Sequence, residues 1–165
     1  MCRNYFGGGA AYAVKPRDEF FGITKENRNI ALNGIIDNTV FRLEANIPNL
    51  GTQILSLWRK RVASDWERKY HVRVAGFETF VIETEHRKGS VYKADNWTLV
   101  GETQGSTKFH LHGIEKSFDR VETEKKLIFC KWIKHGELPT EYESTWNNRG
   151  CRGQTTIFDF IGDTI

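Results

Sequence analysis

Two acidic side chains and a tyrosine give the first sign of chemistry in this chain. Glu78 interrupts an apolar run from Val74 to Ile82, where a carboxylate needs a partner or a function. Glu83 follows in a charged turn, and Tyr92 comes shortly after it. Together they can form one cleft, with a carboxyl as acid, base or metal ligand and a phenol that donates a proton or orients a base. A solvated Glu83 and a buried structural Tyr92 are the alternatives.

The histidines and cysteines do not predict a metal site. His110 and His112 place two imidazoles on one face of a strand, but no nearby Asp or Cys completes a ligand set. Cys2, Cys130 and Cys151 are far apart and form no CxxC pair. We therefore predict neither a zinc site nor a disulfide framework.

Composition indicates one folded domain and leaves the partner open. The 165 residues include 39% hydrophobic and 13% aromatic residues, enough to build a core. A net charge of +3 is too weak to indicate nucleic-acid binding by itself. We find no run of about 18 apolar residues and no convincing signal peptide, so we expect a cytoplasmic protein without a membrane span.

The middle of the chain alternates between strand and helix patterns. Residues 72–82 predict a strand, 89–97 a short helix, 98–100 a strand and 126–133 a final strand. This order predicts a mixed α/β sheet with helices on its faces.

Two further helices are predicted earlier. One has Thr24 as its N-cap and ends near Asp37 and Asn38, and residues 39–43 then form a half-buried strand. After Pro48, Asn49 is expected to cap a long amphipathic helix. Its apolar residues are Leu50, Ile54, Leu57, Trp58, Val62 and Trp66.

The end of the chain has a different character. Residues 1–146 are expected to form the domain, and residues 147–165 a flexible tail that begins as a polar, glycine-containing linker. The tail matches the Gln-x-x-aliphatic-x-x-aromatic peptide that docks on sliding clamps such as PCNA. A last strand packed on the domain is the alternative. The matching residues are Gln154, Ile157 and Phe160, with Ile161 where a second aromatic residue is usual.

Several blocks together resemble the DruA-like domain family, which is found in the Druantia anti-phage system and beside transposases. One block is Gly89-Ser90-Val91-Tyr92-Lys93-Ala94-Asp95-Asn96-Trp97, followed by the Gly-x-Thr-x-Gly loop at residues 101–105. Further matches are Glu78-Thr79-Phe80-Val81, Lys15-Pro16-Arg17-Asp18, Pro48-Asn49-Leu50 and Lys126-Leu127-Ile128-Phe129. The similarity covers about residues 10–134.

The block at residues 89–97 is also similar to one in the phage Mom proteins. Those proteins modify adenine in DNA with a small carbamoylmethyl-type group and have an acetyltransferase-like (GNAT) core. The resemblance implies an α+β fold with a GNAT-like mixed central sheet, splayed in the middle and flanked by helices, and an extended C-terminal tail.

The resemblance also implies functional residues. Tyr92 matches the family tyrosine, which places a phenol at the mouth of the splayed strands. Chemistry on a base in duplex DNA requires an extruded base, an aromatic ring to stack on it and cations on the phosphates. Asn96 would then bind an adenine edge and Trp97 would stack, whereas a turn cap and core packing are the alternatives. The residues for the phosphates are Arg87, Lys88, Lys93 and Lys108.

The resemblance leaves the cofactor unknown. A coenzyme A-type donor would lie at the start of the long helix, on Asn49, Leu50 and Gly51, and the Mom family is also associated with iron. The segment has one glycine and no basic residue.

Three functions fit this sequence. The first is a DNA-acting protein of defence or mobile-element context that modifies adenine by transfer of a small acyl-type group, with Tyr92 and Glu78 or Glu83 in the reaction. The second is a noncatalytic DNA-binding module tethered to a sliding clamp. The third is a GNAT-type transferase that acts on a small molecule or a protein.

Overall fold

A computed structural model describes residues 3–5, 8–11, 13–43, 47–110 and 118–140, with the backbone alone for 3–5, 106–110 and 118–121. Its helices are α1 (Lys15–Phe21), α2 (Arg28–Ala31), α3 (Leu50–Tyr70) and α4 (Ser90–Ala94). Its first five strands are β1 (Arg3–Tyr5), β2 (Gly8–Gly9), β3 (Ile35–Asp37), β4 (Val40–Arg42) and β5 (Gly76–Ile82). The others are β6 (Thr98–Glu102), β7 (Ser106–His110), β8 (Phe118–Glu122) and β9 (Lys126–Trp132).

A five-stranded sheet with the order β2-β3-β5-β9-β6 organises the described chain. The β3 and β5 strands run parallel, and the other neighbours within this sheet are antiparallel. Separate two-stranded pairs join β1 to β4 and β7 to β8. The predicted mixed sheet with flanking helices is confirmed.

Both faces of the sheet are covered, because successive side chains along its strands point alternately into two apolar clusters. Phe129 packs with side chains from α3 and α4 on one face. Its neighbours Ile128 and Cys130 pack with side chains from α1 and α2 on the other face. Strands buried on both faces read as continuous apolar runs, which is why β5 and β9 were predictable.

The β3 strand corrects the predicted helix that begins at Thr24. Only α2 and a short 3-10 turn at Leu32–Gly34 are helical there, and Ile35–Asp37 forms a strand. Extended geometry places Ile35 and Ile36 in opposite apolar clusters, so both are fully buried, which one helix face does not achieve. The side chain of Thr24 meets the backbone of Asn27 in a turn instead of capping a long helix.

The long helix is confirmed, and it begins directly after Asn49, the residue predicted as its N-cap. Asn49 has a left-handed backbone and makes no side-chain capping hydrogen bond. Leu57, expected on the apolar face, is 67% exposed. Leu55, which was not among the predicted apolar residues, is fully buried instead.

The sheet opens where β3 ends. Asn38 continues the pairing with β5 through its amide, which donates to the carbonyl oxygen of Glu78 at 2.8 Å. The hydroxyl of Thr79 then donates to the carbonyl of Asn38 at 2.9 Å. Beyond this point β4 pairs with β1 and not with β5. The chain that follows β3 therefore separates from β5, and the two form the prongs of a split sheet. In the described part of the chain, no helix is long and apolar enough to cross a membrane.

Candidate active site

A buried ion pair explains how β5 tolerates a carboxylate. Glu78 is 1% exposed, and Arg17 of α1 is 0% exposed. The guanidinium Nη1 of Arg17 donates to both carboxylate oxygens of Glu78, at 3.0 and 2.9 Å. A buried charge requires such a partner, because desolvation otherwise favours the neutral form.

The cluster extends from Arg17 to a second carboxylate and a second guanidinium. Arg17 Nε donates to Asp18 Oδ1 at 2.8 Å, and Arg28 Nη2 donates to Asp18 Oδ2 at 2.7 Å. Pro16 lies in the first turn of α1, where its fixed backbone suits a helix start. The helix thereby holds Arg17 between Asp18 and Glu78.

Asp37 adds a third carboxyl beside Glu78. It is the last residue of β3, and its Cα is the register partner of the Cα of Glu78 on the parallel neighbour. Its Oδ1 is buried and has no hydrogen-bond partner among the described residues, while its Oδ2 lies 3.5 Å from the hydroxyl of Thr39. Arg17 and Arg28 pair with Glu78 and Asp18, and the positive charges of Arg17 and Lys126 also act on Asp37.

Burial changes the acidity of the two neighbouring carboxyls. Desolvation raises the pKa of Glu78 to about 7, although the positive charge of Arg17 opposes the shift. Desolvation also raises the pKa of Asp37 to about 6, against the weaker effects of Thr39 and Arg17. Each carboxyl can therefore take up or release a proton near neutral pH, the range in which general acid–base catalysis is most effective.

A partly open cavity of about 370 Å³ lies beside the pair. This volume falls within the usual range of small-ligand sites. Its polar lining consists of Asp37, Glu78, Thr103, Thr123, Glu124 and Lys126. Ionisable groups at a solvent-accessible cavity are candidates for catalysis.

Tyr92 does not share this cavity. It lies where the prongs separate, 6% exposed, with its ring centroid 5.6 Å from that of Phe129 and its phenol oxygen 3.4 Å from the hydroxyl of Thr79. Thr79 and Glu78 are consecutive in β5, so their side chains are on opposite faces of the sheet. Burial raises the pKa of Tyr92. This position favours a structural role.

A family comparison covers most of the chain, including every residue of the cluster. The family model of the Druantia protein DruA matches residues 6–135. The chain belongs to the DruA family. Membership links it to the context of anti-phage defence. A search of curated proteins found no match.

The other acidic candidate of the DruA-family chain lies outside the cluster. Glu83 is exposed in the segment that follows β5. Its position favours the solvated alternative.

The candidates for DNA binding fall into two groups. Arg87, Lys88 and Lys93 are exposed. Trp97 is 4% exposed and its indole donates to Asp95 Oδ2 at 2.8 Å, so it lies in the core, as the structural alternative expected. Asn96 is exposed in a turn with a φ of 58°.

Two of the strand candidates are described only in part. Lys108 and His110 belong to β7, for which the backbone is described, and His112 lies outside the described residues. The tail candidates Gln154, Ile157, Phe160 and Ile161 also lie outside them.

The residues at the start of α3 do not fit a coenzyme A-type donor. A Cβ on Gly51 would lie 2.5 Å from Val91 Cγ2 and 3.1 Å from Leu43 Cδ1, so the glycine serves close packing. The backbone amides of Leu50 and Gln53 already donate to carbonyls at 3.2 and 3.1 Å. Within the described ranges, no group of three His, Cys, Asp or Glu side chains has an arrangement that could hold a metal ion such as iron.

Sequence reasoning identified Glu78 but missed Arg17 and Asp37 as site residues. Arg17 is 61 residues away from Glu78, so no local pattern connects them. The resemblance had matched Arg17 and Glu78 in separate blocks, and the buried carboxylate required a cation. Asp37 was hidden because it was assigned to the end of a helix.

Proposed function

We propose that this DruA-family chain acts on DNA in anti-phage defence and that Glu78 and Asp37 perform its acid–base chemistry. The observation that carries the proposal is the pair itself: two register-matched carboxyls, one fixed by Arg17, beside a cavity that admits a ligand. Either carboxyl can accept or release a proton, because burial raises the pKa of both groups to near neutrality.

The reaction that we propose first is transfer of a small acyl-type group to the exocyclic amine of adenine. The amine nitrogen forms a bond to the carbonyl carbon of an activated acyl donor, and the bond from that carbon to the leaving group breaks. The electron pair goes to the leaving group, and the proton lost by the amine goes to Asp37 or Glu78. The base must leave the duplex stack to reach the cavity.

Exposed cations support DNA as the substrate. Arg87, Lys88 and Lys93 follow β5 along the chain and are free to approach phosphates, with Lys108 as a further candidate on β7. Phosphate contacts of this kind position a protein on DNA without reading its sequence. Asn96 offers an exposed amide to a base.

Nucleoside mass spectrometry of DNA from cells that express the full chain tests the proposal. We expect a modified adenosine with the unchanged chain and with Glu83→Gln, an exposed control. With Asp37→Asn we expect at least a hundredfold less, because general acid–base catalysis contributes about that much. Adenine that stays unmodified while the chain binds DNA would overturn the catalytic proposal.

A noncatalytic DNA-binding module is the second candidate. It is supported by the burial of Tyr92 and Trp97, whereas Arg87, Lys88 and Lys93 are exposed. Retention on a DNA column that falls steeply with salt, with no modified nucleoside, would favour this module over the enzyme.

The tail peptide is proposed to dock on a sliding clamp. Gln154, Ile157, Phe160 and Ile161 would provide the polar and apolar contacts of such a peptide. Clamp binding by the full chain that is lost on truncation after Gly153 is the expected result, and no binding by the full chain would dismiss it.

A further inference from the structure

The charges around the cavity limit what it can bind. Three carboxyls line it, on Asp37, Glu78 and Glu124, against a single ammonium, on Lys126. A phosphate or another anion would be repelled by this lining. A neutral group that carries N–H donors would find acceptors.

One acceptor is already in place. Asp37 Oδ1 is buried and lacks a donor among the residues for which the structure describes side chains. A buried oxygen without a donor is costly, and a bound N–H removes this cost. The hydroxyls of Thr103 and Thr123 offer further hydrogen bonds in the same cavity.

A donor is also available. Asp37 and Glu78 lie side by side on neighbouring strands, so the negative charge of one opposes ionisation of the other, and the pair retains one proton most readily. Burial, which raises the pKa of both groups, has the same effect. A carboxyl that keeps its proton donates one hydrogen bond and still accepts another.

We propose that this cavity receives the Watson–Crick edge of a single unpaired adenine or cytosine. Both bases present an amino donor next to an unprotonated ring nitrogen. The amino group donates to Asp37 Oδ1, and the carboxyl of the pair that keeps its proton donates it to the ring nitrogen. Thymine and guanine place an N–H at the ring position, which faces that proton. This inference rests on the proposed action on DNA and specifies the base.

Fluorescence anisotropy with four labelled single strands tests the inference. Each strand is a run of thymines with one central adenine, cytosine, guanine or thymine, and the full chain is titrated at pH 6. We expect binding about tenfold tighter for the adenine and cytosine strands than for the other two.

Two variants of Asp37 separate recognition from chemistry. Asp37→Ala removes the acceptor, so all four strands should bind equally. Asp37→Asn keeps an acceptor and supplies a fixed donor, so the preference should persist and no longer weaken at pH 8. In the unchanged chain it should weaken at pH 8, because the pair loses its proton. The charged groups and thiol around this pair are Arg17, Asp18, Arg28, Glu124, Lys126 and Cys130.

The outcomes distinguish this inference from the proposal on which it rests. Arg87→Ala with Lys88→Ala should weaken all four strands to the same extent, because these cations contact phosphates alone. Equal binding of the four strands by the unchanged chain would overturn base recognition and leave DNA binding intact. Failure to bind any strand would overturn the proposed action on DNA.

Discussion

Arg17 determines whether Glu78 can remain charged inside the sheet. The guanidinium satisfies both carboxylate oxygens and at the same time bonds Asp18, so one buried cation organises two acidic groups. Its role is electrostatic as well as structural. Without it, desolvation and the negative charges of Asp37 and Asp18 would all favour the neutral form of Glu78.

Replacing Arg17 alone should therefore destabilise the fold more than replacing Arg17 and Glu78 together. Arg17→Met leaves Glu78 buried without a cation, which typically costs about 3–5 kcal/mol of unfolding free energy. The double variant Arg17→Met/Glu78→Met replaces the pair by apolar groups and should recover much of that loss. Urea unfolding measures both, with the exposed Lys15→Met as control. Equal losses in the single and double variants would contradict the prediction.

Asp37 should make stability depend on pH in a definite direction. Its folded pKa is raised to about 6, so between about pH 4 and 6 the folded chain holds more protons than the unfolded chain. The contribution of Asp37 to stability is therefore present at low pH and lost as pH rises through 6. Asp37→Asn should be more stable relative to the unchanged chain at pH 8 than at pH 4. Urea titrations of both proteins at pH 4 and pH 8 test this. The same difference in unfolding free energy at the two pH values would contradict it.

At the scale of elements, the positions of α1 and the parallel strands create the site. The α1 helix lies against the sheet with Phe21, whose ring centroid is 4.8 Å from that of Trp132 in β9. Gly76 permits this approach, since a Cβ there would lie 2.5 Å from the ring of Phe21 and 2.8 Å from the carbonyl oxygen of Lys131. The glycine thus controls how closely α1 can bring Arg17 to β5.

Gly76→Ala should displace α1 from the sheet. The added methyl overlaps a buried ring and a backbone oxygen, and such overpacking typically costs about 1–3 kcal/mol. Gly8→Ala, where a Cβ meets nothing within 4 Å, is the matched control and should change stability by less than about 0.5 kcal/mol. Thermal or urea unfolding distinguishes the two, and a similar loss in both would contradict the argument.

The same elements show what sequence reasoning can reach. The β5 and β9 strands and the α3 helix have long apolar patterns, so their positions could be predicted within a few residues. The three-residue β3 strand has too short a pattern, and its conformation depends on pairing with β5. The same limit applies to the site. Glu78 could be predicted because it is a carboxylate inside an apolar strand, whereas Asp37 is a candidate only because the register of β3 and β5 places it beside Glu78.

For the whole molecule, the cavity is assembled from distant parts of one chain. Asp37, Glu78 and Lys126 come from three different strands of the same sheet. The site therefore exists only when the sheet is complete. We expect residues 1–146 to provide everything that it needs, with the tail as a separate module.

A chain that ends at Trp146 tests this division. It should keep the urea midpoint of the full chain, because we expect no core contact from residues 147–165. It should also keep the base preference proposed above. A loss of more than about 1 kcal/mol would show that the tail packs on the domain.

The ion pair between Arg17 and Glu78 has a consequence for how the sheet avoids misalignment. A slip of β5 by one residue would turn the carboxylate away from Arg17 and toward the apolar side chains of Trp58 and Tyr92, and it would leave the guanidinium facing an uncharged strand. An apolar strand by itself penalises such an error weakly, since its side chains suit either face. The single buried carboxylate of β5 therefore makes the shifted register unfavourable, because only the native register pairs Glu78 with Arg17.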